Sequence, residues 1–395
     1  MRYKTLPIFL AFFVMGVADA MGPMSEAVKS DYQVSTVVSR LLSFFVFIAF
    51  AVFSVPGGLL AARIGKKKLL LLGLGLNAVA VLVPTLLSPG FPLLLGCIFL
   101  LGIGTAFLQV AGNPIMRDVS APGSYSRNLS FAQGIKGLGS TASTYLTTYL
   151  VTAIASIALF QGMGWRSSFP LFFGCMAVAF LAVAVLKVEE TKSDEPPSIA
   201  SSLGLLKEPV FFLAVLGIFL YVGAESCMGN FLLPAMKGIG VDEKTAAMWF
   251  GPATFLLLLA IGRLLGGAVL TVMSPRAFFR LSALLGLLGA AAIMLASKPL
   301  AIAGVFAAGL GFANIWPMLF SITVEEKPQR ASELSGLMCM AISGGAIVPL
   351  VMAKLIDLHV SEAQAFIVPT LCFAYLLVLS LRGGRTVPSP LAGED

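Results

Sequence analysis

The feature that most constrains this chain is a succession of apolar stretches, each long enough to cross a membrane as one helix, separated by short polar segments. A helix needs about 20 residues to traverse the hydrocarbon core. Twelve such stretches stand at 6–28, 40–62, 69–88, 91–116, 128–155, 167–186, 210–235, 246–272, 277–297, 299–324, 333–357 and 362–381. Backbone N–H and C=O groups in hydrocarbon must be satisfied within the segment, so each stretch is expected to be helical. The mixture of Val, Ile, Leu and Phe lacks the strict alternation of an outer-membrane barrel strand. Only 11% of the residues are charged, against about 25% in soluble domains, and 58% are hydrophobic. Water-soluble cores in a chain of 395 residues could not hide that much apolar surface. The expected fold is all-α: a polytopic membrane protein with twelve transmembrane helices.

The basic residues give the orientation. With the N-terminus placed in the cytoplasm, seventeen Lys and Arg fall on the inner side, among them Arg63, Lys66, Lys67, Lys68 and Lys192. Seven fall outside, including Arg40, and Lys136 and Arg263 lie within spans. This bias puts both termini in the cytoplasm and accounts for the net charge of +7 without any nucleic-acid partner. The first span reads as a retained span, because it is too long for a cleaved leader and has no small-residue cleavage site. Cys97, Cys175, Cys227, Cys339 and Cys372 all lie within spans, without metal-ligand spacing. They read as small buried apolar residues. His359 is the only histidine, near the outer end of the eleventh span. No metal or cofactor is expected. No nucleophile–base set is visible, so an enzyme is not expected either.

The longest polar stretch, VEETKSDEPPSIASSLGLLKEP at 188–209, reads as a cytoplasmic linker. It separates an N-terminal six-helix bundle, 1–187, from a C-terminal one, 210–382, followed by a cytoplasmic tail, 383–395. The halves are related at an offset near 206: Ala18-Asp19 matches Ala224-Glu225, Gly102-Ile103-Gly104 matches Gly309-Leu310-Gly311, and Gly139 matches Gly345. Two pseudo-symmetric bundles are therefore expected.

Charges at membrane depth cost free energy and face a cavity or a partner. Asp19 lies about 20 Å along the first span, Glu225 at the corresponding depth of the seventh, and Lys136 about 12 Å into the fifth, at 1.5 Å per residue. These three are the candidates for proton coupling. The other reading of each is a structural ion pair or, least of all for the short carboxylates, a snorkelling side chain. Arg263, near the cytoplasmic end of the eighth span, reads as structural. Gln109, Asn113, Gln133, Asn230 and Asn314 offer amides that both donate to and accept from hydroxyl groups, and Trp316 offers an apolar ring face. Asn77 is a further buried amide. Interhelical hydrogen bonding is the competing use of such groups. Asn113-Pro114 and Trp316-Pro317 predict helix interruptions in the fourth and tenth spans.

At these residues the chain resembles a known family. GLLAARIGKKK at 58–68 resembles the Gly/acidic/basic loop of the major facilitator superfamily, with Ala62 at the usual acidic position. LYVGAESCMGNFL (220–232), SGLMCMAISGGAIVPL (335–350), NIWPMLFSI (314–322), LQVAGNP (108–114) and NLSFAQ (128–133) resemble the fucose:proton symporter branch, which includes glucose/galactose transporters. The resemblance covers nearly the whole chain. It implies the major facilitator fold and proton-driven import of a neutral hexose-like sugar. Three positions depart from the branch. Its proton-coupling glutamate of the fourth span is replaced by Gln109, its first-span aspartate falls near Gly22 or Pro23 rather than at Asp19, and Lys136 stands where the fucose symporter has a neutral amide.

The expected activity is secondary active import of a hexose-like sugar by alternating access. Two halves would rock around a central site lined by spans one, four, seven and ten, flanked by five and eleven. Gln109, Asn113, Gln133, Asn230 and Asn314 would bond sugar hydroxyls, Trp316 would stack on the ring, and Asp19 or Glu225 would carry the proton against Lys136. The alternatives are a sugar uniporter, a transporter of an anionic sugar or organic acid bound by Lys136, an exporter of amphipathic compounds and, most distantly, a membrane sensor. The expected partners are the sugar, a proton and the lipid bilayer, and the expected state is a monomer in a bacterial inner membrane.

Overall fold

The computed structural model describes residues 2–39, 41–157, 160–190 and 197–382. Arg40, the linker centre 191–196 with Lys192, and the tail 383–395 lie outside the described residues. Among the described residues every regular element is helical. Ten helices among these residues are long and apolar enough to cross a membrane. The first span completes its crossing less regularly, as Arg2–Met15, a 3-10 stretch Gly16–Ala20, and Met21–Tyr32. The fifth runs as Tyr125–Tyr145, a π turn Leu146–Leu150, and Val151–Ala155. Its many Ser, Thr and Gly residues dilute its hydropathy. All twelve expected spans are thus helical, and the fold is all-α and polytopic. Large apolar side chains such as Val52, Leu181, Leu288 and Leu350 are more than half exposed, as a lipid-facing surface requires.

The contacts gather the chain into two units. Unit 1 comprises 1–119, 135–203 and 329–340, and unit 2 comprises 120–134, 204–328 and 341–395. In unit 1 the fourth span, Phe91–Asp118, packs against the second, Leu41–Ile64, and the third, Lys66–Leu86. In unit 2 the tenth span, Lys298–Ala313 continued by Ile315–Glu326, packs against the ninth, Pro275–Met294, and the eighth, Pro252–Val269.

Glycines at repeat-related positions make the same close approaches in each unit. A Cβ at Gly104 would collide with the Gly73 carbonyl and Asn77, and one at Gly311 would collide with Gly286 and the Ser282 carbonyl. A Cβ at Gly139 would strike the backbone of Phe13 in the first span. In unit 2 the equivalent approach, to Phe219 of the seventh span, Pro209–Gly238, is made by Gly344. That is one residue before the Gly345 expected from the offset.

The predicted interruptions divide. The tenth span breaks at Asn314, between its two helices. The fourth span does not break, and Pro114 sits inside a continuous helix. Proline lacks an N–H, so it leaves the carbonyl four residues earlier without its helical donor. For Pro114 that carbonyl is Val110, and the Ser335 hydroxyl donates to it at 2.8 Å. A neutral hydroxyl satisfies the freed acceptor, and the helix continues.

Helix starts and ends are also held by side chains. The Glu190 carboxylate accepts from the backbone N–H groups of Lys66 and Lys67, capping the third span. Lys66 Nζ pairs with Asp118, and both side chains are almost fully buried. The ninth span starts from its own cap, Ser274, whose hydroxyl accepts from Ala277 N. The repeat-related pair in unit 2, Arg276–Glu326, lies at 3.0 Å with both side chains more than a quarter exposed. The short helix Glu243–Phe250 is capped by Asp242, and the Thr245 N–H holds that exposed carboxyl below its ordinary range. The expectation of five buried cysteines needs one correction, since Cys175 is exposed on the sixth span, Ser168–Val185. A thiol is apolar enough to face lipid there.

Candidate functional site

Unit 1 brings Asp19 and Lys136 together. Asp19 lies in the 3-10 stretch Gly16–Ala20, where tighter winding interrupts the first span. Lys136 and Ser140 stand one turn apart on the fifth span, so they present to the same neighbour. Lys136 Nζ lies 3.9 Å from the Asp19 carboxylate, and the Ser140 hydroxyl donates to it. The carboxylate side chain is 39% exposed and the lysine 19%. This is a long, partly open ion pair between a flexible ammonium and a short acid, and the lysine holds the acid less closely than the Ser140 hydroxyl does.

Unit 2 holds its carboxylate differently. Tyr221 and Glu225 are one turn apart on the seventh span. Arg263 of the eighth span donates from Nη2 to Glu225 at 3.4 Å and to the Tyr221 hydroxyl at 3.2 Å. Its Nε donates to the Ala313 carbonyl of the tenth span at 3.0 Å. The arginine side chain is 9% exposed and Glu225 is 24% exposed. The structural role expected for Arg263 thus understates it, because it joins three spans and is the partner of Glu225. Its place near a span end hid this in the sequence, although a charge opposite an intramembrane acid is the signal that could have found it.

The remaining candidates lie apart from these pairs or alongside them. In unit 1, Gln109 and Asn113 are buried on the fourth span. Gln109 Oε1 has no hydrogen-bond partner among the described residues, and Asn113 Nδ2 points to Cys339 Sγ at 3.9 Å. Asn77 Nδ2 donates to Thr105 Oγ1 at 3.0 Å, an interhelical bond. In unit 2, Gln133 is buried and Asn230 is exposed. Asn314 stands at the tenth-span break, with Nδ2 donating to the Gly262 carbonyl at 2.8 Å. Trp316 is buried with its ring 5.7 Å from that of Phe320, and its Nε1 has no partner among the described residues. Buried polar atoms are normally paired, so Gln109 Oε1 in unit 1 and Trp316 Nε1 in unit 2 each have hydrogen-bonding capacity that no described residue uses.

Comparison with known proteins places this geometry. The family model described as Major Facilitator Superfamily matches residues 8–349. The chain belongs to that superfamily. It is a membrane transporter, and its resemblance to the fucose:proton symporter branch extends over its length. A glucose/galactose transporter of Brucella abortus is 28% identical, with 97% of this chain and 93% of that protein covered. An L-fucose–proton symporter of Haemophilus influenzae is 21% identical, with 95% of each chain covered. Among solved structures, the Escherichia coli fucose:proton symporter superposes with a TM-score of 0.80 at 20% identity, covering 95% of this chain and 97% of that one.

Proposed function

We propose that this protein imports a neutral hexose-like sugar by alternating access, driven by an inward proton gradient, with Asp19 as the proton-bearing carboxylate. The observation that carries the assignment is the contrast in how the two intramembrane acids are held. Asp19 is 39% exposed beside a lysine at 3.9 Å. Protonating it releases Lys136, whose side chain is itself partly exposed. Protonating Glu225 would leave the buried Arg263 guanidinium without its counter-charge. Breaking a buried pair in that way costs about 3–5 kcal/mol, and somewhat less where one partner is partly exposed. Glu225 is therefore assigned as a fixed counter-ion and removed from the coupling step.

The sugar is supported by the relatives, one a glucose/galactose transporter and another an L-fucose–proton symporter. It is also supported by the amide and indole groups. Gln109 and Asn113 in unit 1, and Gln133, Asn230 and Asn314 in unit 2, would bond hydroxyls, with Trp316 stacking on the ring. In this reading the protein is a monomer of a bacterial inner membrane with both termini cytoplasmic.

Lys136 favours one second reading. A partly exposed ammonium loosely bound to Asp19 could instead hold the carboxylate of an acidic sugar. Proteoliposome uptake of D-glucose, D-galactose, L-fucose and D-glucuronate, with and without an inward proton gradient, separates these. Saturable neutral-sugar uptake that the gradient accelerates in wild type but not in Asp19→Asn establishes the proposal. Gradient-independent neutral-sugar uptake makes the protein a uniporter. Uptake of D-glucuronate alone, lost in Lys136→Met, selects the acidic substrate.

A further inference from the structure

Unit 2 answers a freed proline carbonyl with a charge where unit 1 uses a hydroxyl. Pro317 has no N–H, so the Ala313 carbonyl loses its helical donor. Arg263 Nε fills that vacancy at 3.0 Å. Through the neighbouring Nη2 the same guanidinium reaches Glu225 and the Tyr221 hydroxyl. The eighth span receives a second tie from the break itself, since Asn314 Nδ2 donates to the carbonyl of Gly262, the residue before Arg263. Trp316 follows two residues after Asn314, buried, with its ring tilted 32° to Phe320 and its Nε1 unpartnered among the described residues.

From this we infer that Arg263 is a positioning residue for the sugar-binding segment of the tenth span: it pins the Asn314 interruption and so sets the aim of Trp316, while Glu225 and Tyr221 hold the guanidinium in that pose. The inference rests on the sugar-transport reading. A hydroxyl would suffice merely to satisfy a carbonyl, as Ser335 does for Val110. What the arginine adds is a rigid planar group whose Nε and Nη2, held in fixed relation, connect the broken tenth span to the seventh. A lysine carries the same charge on one nitrogen at the end of a flexible stem and cannot hold both neighbours in that fixed arrangement. Arginine and lysine should therefore differ here even though charge neutrality with Glu225 is kept.

The test uses the three tryptophans of the chain, Trp165, Trp249 and Trp316. In a W165F/W249F background the full-length protein reports Trp316 alone. Arg263→Lys is expected to raise KM for D-glucose and D-galactose roughly tenfold with kcat changed by less than about twofold. It is also expected to red-shift Trp316 emission and increase its quenching by acrylamide at an unchanged melting temperature. Glu225→Gln, which removes the counter-charge while keeping a polar partner, should shift the emission the same way by less, and it decides the matter if Arg263→Lys does not fold. Wild-type Trp316 emission and quenching in these variants would overturn the inference. If wild type takes up neither sugar, the transport reading fails instead. The sugar-free emission of Trp316 still decides whether Arg263 positions it.

Discussion

The two units are alike where backbone meets backbone and unlike where charge meets charge. Gly104 and Gly311 let the fourth and tenth spans approach the third and ninth at related positions, and Gly139 and Gly344 do the same for the fifth and eleventh. The ion pairs have diverged around that shared frame. Lys66–Asp118 is buried while Arg276–Glu326 is part-exposed. Asp19 faces a loosely held lysine, whereas Glu225 faces an arginine that bridges three helices. The lesson is that close backbone packing leaves little room for change after a duplication. A side-chain charge can be rebuilt at each copy, and that is where the two halves take on different work.

The comparison can be broken most sharply at the buried pair. Asp118→Asn removes the charge that Lys66 Nζ pairs with in a buried site and is expected to cost about 3–5 kcal/mol, whereas Glu326→Gln at the related part-exposed pair should cost under about 1 kcal/mol. Thermal unfolding of the purified protein reads both, and equal losses would erase the contrast. Next in size is coupling. Asp19→Asn should reduce gradient-driven accumulation by about two orders of magnitude, near 3 kcal/mol, while sugar exchange without a gradient continues. Glu225→Gln should keep its response to the gradient and lose apparent affinity instead. The reverse pattern would move the proton to unit 2. The glycines sharpen the likeness: Gly104→Ala and Gly311→Ala should each destabilise by about 1–3 kcal/mol through overpacking, and a large loss in one unit only would mean that the shared frame is superficial. The smallest effect is at the helix starts, where Glu190→Ala and Ser274→Ala should each cost about 1 kcal/mol, measurable as paired shifts in melting temperature.

Much of the fold was legible because hydrocarbon imposes a simple rule on the backbone, and twelve apolar stretches of the right length leave few alternatives. The acids Asp19 and Glu225 and the cation Lys136 were legible for the related reason that charge at such depth is costly. The partner of Glu225 was not, because Arg263 lies two turns from the end of its helix and a sequence gives depth more readily than direction. The continuity of the fourth span was hidden as well. Whether a proline breaks a helix depends on a donor arriving from elsewhere, and Ser335 lies far along the chain from Val110. The exposure of Cys175 follows from which face of its helix meets lipid, and an evenly apolar span does not declare that.

The cap on the third span carries a consequence for how the chain is made. Lys66, Lys67 and Lys68 crowd the start of a helix, where the peptide dipole disfavours positive charge. In the proposed orientation those same lysines are what retains this loop on the inner side during insertion. Glu190, which accepts the backbone N–H groups of Lys66 and Lys67, follows the sixth span, so the ribosome delivers it only after the loop has committed to its side. Coming late, it supplies an acceptor to the helix start only once the helices assemble, after the lysines have set the side of the loop.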